Sequence, residues 1–148
     1  MKLYYFNLYG RAESMRMMLN KAGVEFEDIR LAGQDWLDFK PKTEYGQMPV
    51  LELDDGTQLT QSAAIVAYIA NTYGFVPESA MDKYKCSHIC EYMMGDFFSK
   101  FIMPMFGAPE EKKEELSDKL HNEGFPAFLA VIDRKLPDDK KFLVGDSL

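Results

Sequence analysis

The hydroxyl of Tyr5 is the first group in this chain placed to do chemistry. It stands in Tyr5-Phe6-Asn7-Leu8-Tyr9-Gly10-Arg11-Ala12-Glu13, where a short apolar run ends. Phenols ionise near ~10, so a tyrosine here is a proton donor rather than a base. The second feature is Tyr45-Gly46-Gln47-Met48-Pro49-Val50-Leu51. A proline that opens a strand is a candidate cis residue, and it would turn the preceding amide and carbonyl outward to pair with an extended peptide. The third is Gln61-Ser62 ahead of an apolar helix, whose terminal amides and dipole would face a carboxylate. Each has an ordinary structural reading as well: a core aromatic, a plain turn and a simple N-cap.

Other groups offer less. Cys86, His88 and Cys90 suggest a metal cluster, but the spacing lacks a second ligand pair, and the other histidine is His121. Helix residues are the better reading, and no metal site is expected. The run Glu110-Glu111-Lys112-Lys113-Glu114-Glu115 reads as a solvated helix start or loop.

The elements that must position these groups follow from periodicity. Leu3-Tyr4-Tyr5-Phe6 is a buried-strand candidate. Met15, Met18, Leu19 and Ala22 recur at helical spacing over Arg11 to Ala22, with Gly23 as the stop. Val24 to Leu31 reads as a second strand, completing a β-α-β unit of ~30 residues. Pro49 to Leu53 is a third strand, Asp54-Asp55-Gly56 a turn and Thr57 to Thr60 a return strand. Ser62 is the expected N-cap of a helix stopping near Gly74. The order β-α-β, β-β-α predicts a thioredoxin-like domain over residues 1–75, a mixed four-stranded sheet with helices on its faces. Dithiol exchange on such a sheet needs a thiolate pair at the end of its first strand. Tyr5 to Gly10 contains no cysteine, so that chemistry is disfavoured.

Gly74 to Ser79 reads as a linker. From residue 80 no strand pattern appears, and an all-α domain is expected over 80–148. One long helical stretch carries Tyr84, Ile89, Met93, Met94, Phe97, Phe98 and Phe101 and breaks near Pro104. A later helix or helix pair carries Leu116, Leu120, Phe125, Phe128, Leu129 and Ile132. Pro126 lies within it, tolerable only near a first turn or at a kink.

Composition bounds the function. The chain has 148 residues, 47% hydrophobic and 28% charged, with a formal net charge of −7. An acidic chain repels phosphate backbones, so general nucleic-acid binding is disfavoured. No apolar run approaches the ~18 residues of a membrane span, and the N-terminus does not read as a signal peptide. Two cysteines cannot build a disulfide framework, which makes a reducing, cytoplasmic setting the default.

Taken in order, the motifs resemble those of the glutathione transferases, most closely the sigma class that includes the glutathione-dependent prostaglandin D synthases. The carrying residues are Leu3-Tyr4-Tyr5-Phe6-Asn7 with Gly10-Arg11-Ala12-Glu13, Asp35-Trp36 with Lys40, Gly46-Gln47-Met48-Pro49-Val50-Leu51-Glu52, and Leu59-Thr60-Gln61-Ser62 with Ala64-Ile65 and Tyr68. Near the end, Phe142-Leu143-Val144-Gly145-Asp146-Ser147-Leu148 resembles the segment before a late helix of that family. The resemblance implies glutathione as co-substrate, Tyr5 as the catalytic hydroxyl on its sulfur and Arg11 as support for the thiolate. It implies that Trp36 and Lys40 hold the glycyl end and that Gln47 lies beside them. Met48 would pair its backbone with the cysteinyl part, next to the cis Pro49, and Gln61 with Ser62 would grip the γ-glutamyl group. Asp96, in Gly95-Asp96-Phe97-Phe98, matches one position of a paired-acid segment that can reach a partner subunit's glutathione. Gly95 replaces the other acid, which weakens that contact and any acidic magnesium cluster.

The resemblance further implies a homodimer, with Tyr45 as a candidate aromatic key into the partner, and a small hydrophobic electrophile as second substrate. Phe6, Met15, Met93, Phe97 and Phe101 are candidate pocket residues, with core packing as the alternative. The family continues past the point where this chain ends, so the expectation is a helical domain truncated at the C-terminus. Two functions compete: a glutathione transferase, and a non-catalytic relative serving as a binding or structural subunit of a larger assembly.

Overall fold

A computed structural model describes residues 1–136, 139 and 141–146. The chain divides into two compact units, Met1–Val76 and Pro77–Leu148.

The first unit is built on β1 (Lys2–Phe6), whose neighbours are β2 (Glu27–Leu31) and β3 (Val50–Glu52); β4 (Gln58–Thr60) lies outside β3. The sheet order is β2-β1-β3-β4. β1 runs parallel to β2, with Tyr5 opposite Arg30, and antiparallel to β3, with Leu3 opposite Leu51. This is the mixed four-stranded sheet that the order of elements predicts. Alternation along β1 turns Leu3 and Tyr5 to one face. There they join Ala12, Met15, Leu19, Leu51, Ile65 and Ile69 in one buried cluster. Met15 and Leu19 come from α1 (Glu13–Lys21), and Ile65 and Ile69 from α3 (Ser62–Thr72), whose apolar stripes face the sheet.

Two boundaries and one additional helix depart from the periodicity. The second strand starts at Glu27 rather than Val24, because the Val24 amide donates to Leu19 O at 3.0 Å, finishing the helix exit. The Glu27 amide then donates to Met1 O at 3.0 Å and opens the ladder. Gly23, with φ +68, makes that exit turn. The first helical stretch begins as a 3-10 turn, Gly10–Ala12, before α1. Between β2 and β3 lies a helix that no periodicity announced: α2 (Gly33–Phe39), followed by a 3-10 turn at Lys40–Lys42. At seven residues it is too short to show a repeating apolar stripe.

The second unit is helical throughout its described elements. α4 (Ala80–Glu91) runs into a π-helical segment, Tyr92–Ile102, and then a 3-10 turn, Met103–Met105, that contains Pro104. α5 (Glu110–Lys119) starts on the exposed charge run. A π-helical stretch, Leu120–Gly124, leads into α6 (Phe125–Lys135), where Pro126 occupies the first turn. There the π-helical stretch already interrupts the regular α ladder, which makes its missing N–H tolerable. The unit's core is aromatic. The Phe97 and Phe128 rings lie 4.7 Å apart, and Tyr92 stacks on Phe128 at 5.9 Å. Buried Gly124 lets Phe101 approach, since a Cβ there would lie 2.9 Å from that ring. Of the C-terminal motif, Ser147 and Leu148 lie outside the described residues.

Candidate functional site

Tyr5 ends up at the C-terminal end of β1, with its ring in the core and only 6% of the residue exposed. Its hydroxyl is held by the turn that follows. The Arg11 amide donates to Tyr5 Oη at 3.1 Å. The turn approaches so closely that a Cβ on Gly10 would lie 2.8 Å from Tyr5 Oη, and Gly10 has φ +44. Glycine is therefore required twice over, for space and for backbone conformation.

Arg11 also reaches across to α3, its Nη1 donating to Ser62 Oγ at 3.4 Å. Ser62 is not the N-cap its type and place suggest. Gln61 occupies the cap, without a side-chain cap bond, and the Ile65 amide donates to Gln61 O at 3.0 Å to close the first turn. Ser62 thus lies inside the helix, and its hydroxyl is left for Arg11. Gln61 has φ 67 and ψ 113, the one positive φ among the described non-glycine residues. Such a backbone costs ~1–3 kcal/mol and persists only where its surroundings impose it. Its side chain donates from Nε2 to Gln47 Oε1 at 3.4 Å.

The remaining predicted residues surround this cluster. Trp36, on α2, meets Phe6 edge-on at 5.6 Å, and Phe6 meets Tyr5 edge-on at 5.6 Å. The Lys40 stem lies beside Gly46, which has φ +61; a Cβ there would stand 3.3 Å from Lys40 Cε. Met48 packs against the core, Pro49 is buried, and the Met48–Pro49 bond is cis. Tyr5, Arg11, Trp36, Lys40, Gln47, Met48, Pro49, Gln61 and Ser62 all belong to the first unit, whereas Asp96 is exposed in the second unit. Among the described residues no group of three or more His, Cys, Asp or Glu is arranged to hold a metal. Cys86, His88 and Cys90 lie on α4, where His88 stacks on Tyr84 at 5.6 Å.

Met15 is a correction to the pocket list. It is fully buried in the first unit's core, so it packs there and lines no open pocket. A concavity of about 780 Å³ is lined by Met1, Asn20 and Gly23 to Glu27. It lies at the opposite end of the strands from Tyr5, since Lys2 pairs with Glu27.

One participant escaped the motif reading. Arg16, on α1, is buried and donates from Nη1 to the carbonyls of Leu8 and Tyr9, at 3.1 and 3.3 Å. The available signal was a cation between Met15 and Leu19, with Glu13 one turn before it.

Residues 1–71 match the glutathione S-transferase N-terminal domain. Glutathione S-transferase 1 of Ascaris suum is 38% identical over 152 residues, covering 99% of this chain and 72% of that protein. The chain belongs to the glutathione S-transferase family. S-crystallin SL11 of Nototodarus sloanii is 36% identical over 120 residues, and the match covers 81% of this chain and 58% of the crystallin. The solved prostaglandin synthase D of Nilaparvata lugens superposes with a TM-score of 0.87 at 32% identity, over 99% of this chain and 73% of that structure. This family member thus shares a fold with both transferases and a prostaglandin synthase. No described helix is long and apolar enough to cross a membrane.

Proposed function

We propose that this protein binds glutathione and activates its thiol through the Tyr5 hydroxyl, for conjugation to electrophiles or for peroxide and isomerisation chemistry. The observation that carries this reading is the Arg11 amide on the Tyr5 oxygen, at 3.1 Å. With its oxygen accepting from an amide, the phenol keeps its own proton to donate, and hydrogen bonds in series strengthen one another. A thiol begins near pKa ~8.5. Lowering it by ~2 units requires about 2.7 kcal/mol of differential stabilisation. A hydrogen bond to a charged acceptor supplies roughly 1.5–3 kcal/mol, so one tyrosine hydroxyl supported by Arg11 is sufficient.

The rest of the tripeptide has partners of matching chemistry. The first amides of α3 have no helical acceptor, so with Gln61 and the Ser62 hydroxyl they suit the γ-glutamyl carboxylate. Trp36 and Lys40 suit the glycyl carboxylate, with Gln47 beside them, and the Met48 backbone suits the cysteinyl amide. Calorimetric titration with glutathione tests the site. Saturable binding and a rise in melting temperature are expected, and no heat at millimolar ligand overturns the reading.

The protein is further proposed to be a cytoplasmic homodimer. Tyr45, 58% exposed in the turn before Gly46, is the candidate key into the partner. Sedimentation at tens of micromolar should give a dimer, and a monomer rejects it. The identity to a protein named a crystallin favours a second reading, a glutathione-binding member without turnover. Glutathione binding with no conversion of several electrophiles would select it.

A further inference from the structure

Arg16 is only 5% exposed, beside Met15 and Leu19 on the buried face of α1. Its Nε donates to both Asp28 carboxylate oxygens at 3.1 Å, and its Nη1 donates to Glu13 Oε2 at 2.9 Å. The same Nη1 donates to Leu8 O at 3.1 Å and Tyr9 O at 3.3 Å. Nη2 is buried with no hydrogen-bond partner. The guanidinium carbon stands 6.0 Å from the Tyr5 ring centroid, the outer limit of a cation–π contact.

The charges around Arg16 cancel. Arg30 also pairs with Asp28, its Nη2 at 2.8 Å, so Arg16 and Arg30 face Glu13 and Asp28 as two cations and two anions. The group therefore presents no net charge to a nearby thiolate. What distinguishes Arg16 is its grip on two consecutive carbonyls. Those carbonyls immediately precede Gly10 and Arg11, the residues that meet the Tyr5 hydroxyl. The Gly10 backbone runs so near Tyr5 Oη that an added Cβ would stand 2.8 Å from it, and a shift of this turn moves the Arg11 amide relative to the hydroxyl.

We propose that Arg16 is a positioning residue for the Tyr5 hydroxyl, holding the Leu8–Tyr9 carbonyls so that the Arg11 amide meets the phenol oxygen. This inference rests on the reading of Tyr5 as the thiol activator. A fork that spans a carboxylate and a turn fixes distance as well as charge. Lysine keeps the charge but cannot span both.

The test is Arg16→Lys in the full chain, alone and combined with Tyr5→Phe. The thiol pKa of bound glutathione is read from the pH dependence of thiolate ultraviolet absorbance, its affinity by calorimetry, and kcat/KM against pH with chlorodinitrobenzene. A small misplacement of a reacting group is costly, so Arg16→Lys should lower kcat/KM about 10-fold at neutral pH. The bound thiol pKa should rise by about one unit, the equivalent of that loss, with glutathione affinity falling no further than the lost thiolate stabilisation requires. In the Tyr5→Phe background the substitution should add nothing. A folded Arg16→Lys protein with the unmodified thiol pKa overturns the proposal, whatever its melting temperature. So does a shift of equal size in the Tyr5→Phe background, because Arg16 would then act without Tyr5. If Tyr5→Phe itself leaves the thiol pKa unchanged, both this proposal and the Tyr5 reading fail; a normal Tyr5→Phe shift beside a silent Arg16→Lys removes this one alone. Should Arg16→Lys not fold, Asp28→Asn loosens the Nε side while leaving Nη1 in place. It should raise the thiol pKa by a smaller amount, and no rise overturns the proposal.

Discussion

The backbone amide of Arg11 donates to the phenolic oxygen of Tyr5 at 3.1 Å. They are six positions apart in sequence, and the turn between them contains Gly10, where an added Cβ would lie 2.5 Å from Leu8 Cδ1. One main-chain group thus orients the hydroxyl from behind while the side chain of the same residue reaches Ser62 on α3.

Tyr5→Phe should lower turnover of a general electrophile while leaving glutathione affinity nearly unchanged. The hydroxyl meets only the sulfur, whereas Trp36, Lys40, Gln61 and Ser62 address the rest of the tripeptide. Losing ~2 kcal/mol of thiolate stabilisation lowers the rate roughly 30-fold at neutral pH. The deficit should shrink as pH rises, because the thiol then ionises without help. An unchanged rate at neutral pH would place the activating group elsewhere.

Gly10→Ala should damage both stability and turnover. The added Cβ would lie 2.5 Å from Leu8 Cδ1 and 2.8 Å from Tyr5 Oη, at a φ of +44. The left-handed backbone alone costs roughly 1–2 kcal/mol with a side chain present. Chemical denaturation measures the stability loss. Turnover should fall further than the unfolded fraction explains, and equal losses would mean that the turn does not orient the hydroxyl.

Gln61→Gly should trade binding for stability. Gln61 holds φ 67, and glycine enters that region with little penalty. A gain of up to about 1 kcal/mol is expected, part of the strain being offset by the freer unfolded chain. Glutathione binding should weaken through loss of the side chain. A Gln61→Gly protein that is less stable would show that the Gln47 contact outweighs the strain.

Ser79→Ala should loosen the start of α4. Ser79 Oγ accepts from the Asp82 amide and donates to Asp82 Oδ2, both at 3.0 Å. Losing such a cap costs about 1 kcal/mol, and Ser79→Asn should recover most of it. Asp82 is held below its ordinary 3.8 by hydrogen bonds from Lys85 and then Ser79. Because the folded value is depressed, this contribution is present at neutral pH and disappears as pH falls below 3.8 through the folded value. Protection factors for hydrogen exchange at the first amides of α4, taken against the intrinsic rate at each pH, should therefore fall on acidification in the unmodified protein and respond less in Ser79→Ala.

Local chemistry along the chain already determined the strand-helix order of the first unit. Alternating Leu3 and Tyr5, the Met15–Leu19 stripe, Gly23 and the Asp54-Asp55-Gly56 turn each encode their element within a few residues. The helical second unit was legible for the same reason. The resemblance of ordered motifs picked out candidate site residues, and of these the fold joins Tyr5 to Arg11, Arg11 to Ser62 and Gln61 to Gln47 by hydrogen bonds. Other features depended on contacts distant in sequence. α2 is too short for a period to emerge. Ser62 looked like a cap until Gln61 took that position and Arg11 took its hydroxyl. Gln61's positive φ arises from the β4–α3 junction, and no residue type announces it. Arg16 is a surface residue by type, and Asp28, on a strand, with the Leu8 and Tyr9 carbonyls joins Glu13 of its own helix in making its burial tolerable. A buried charge is stable only where partners converge on it, and tertiary structure alone brings those partners together.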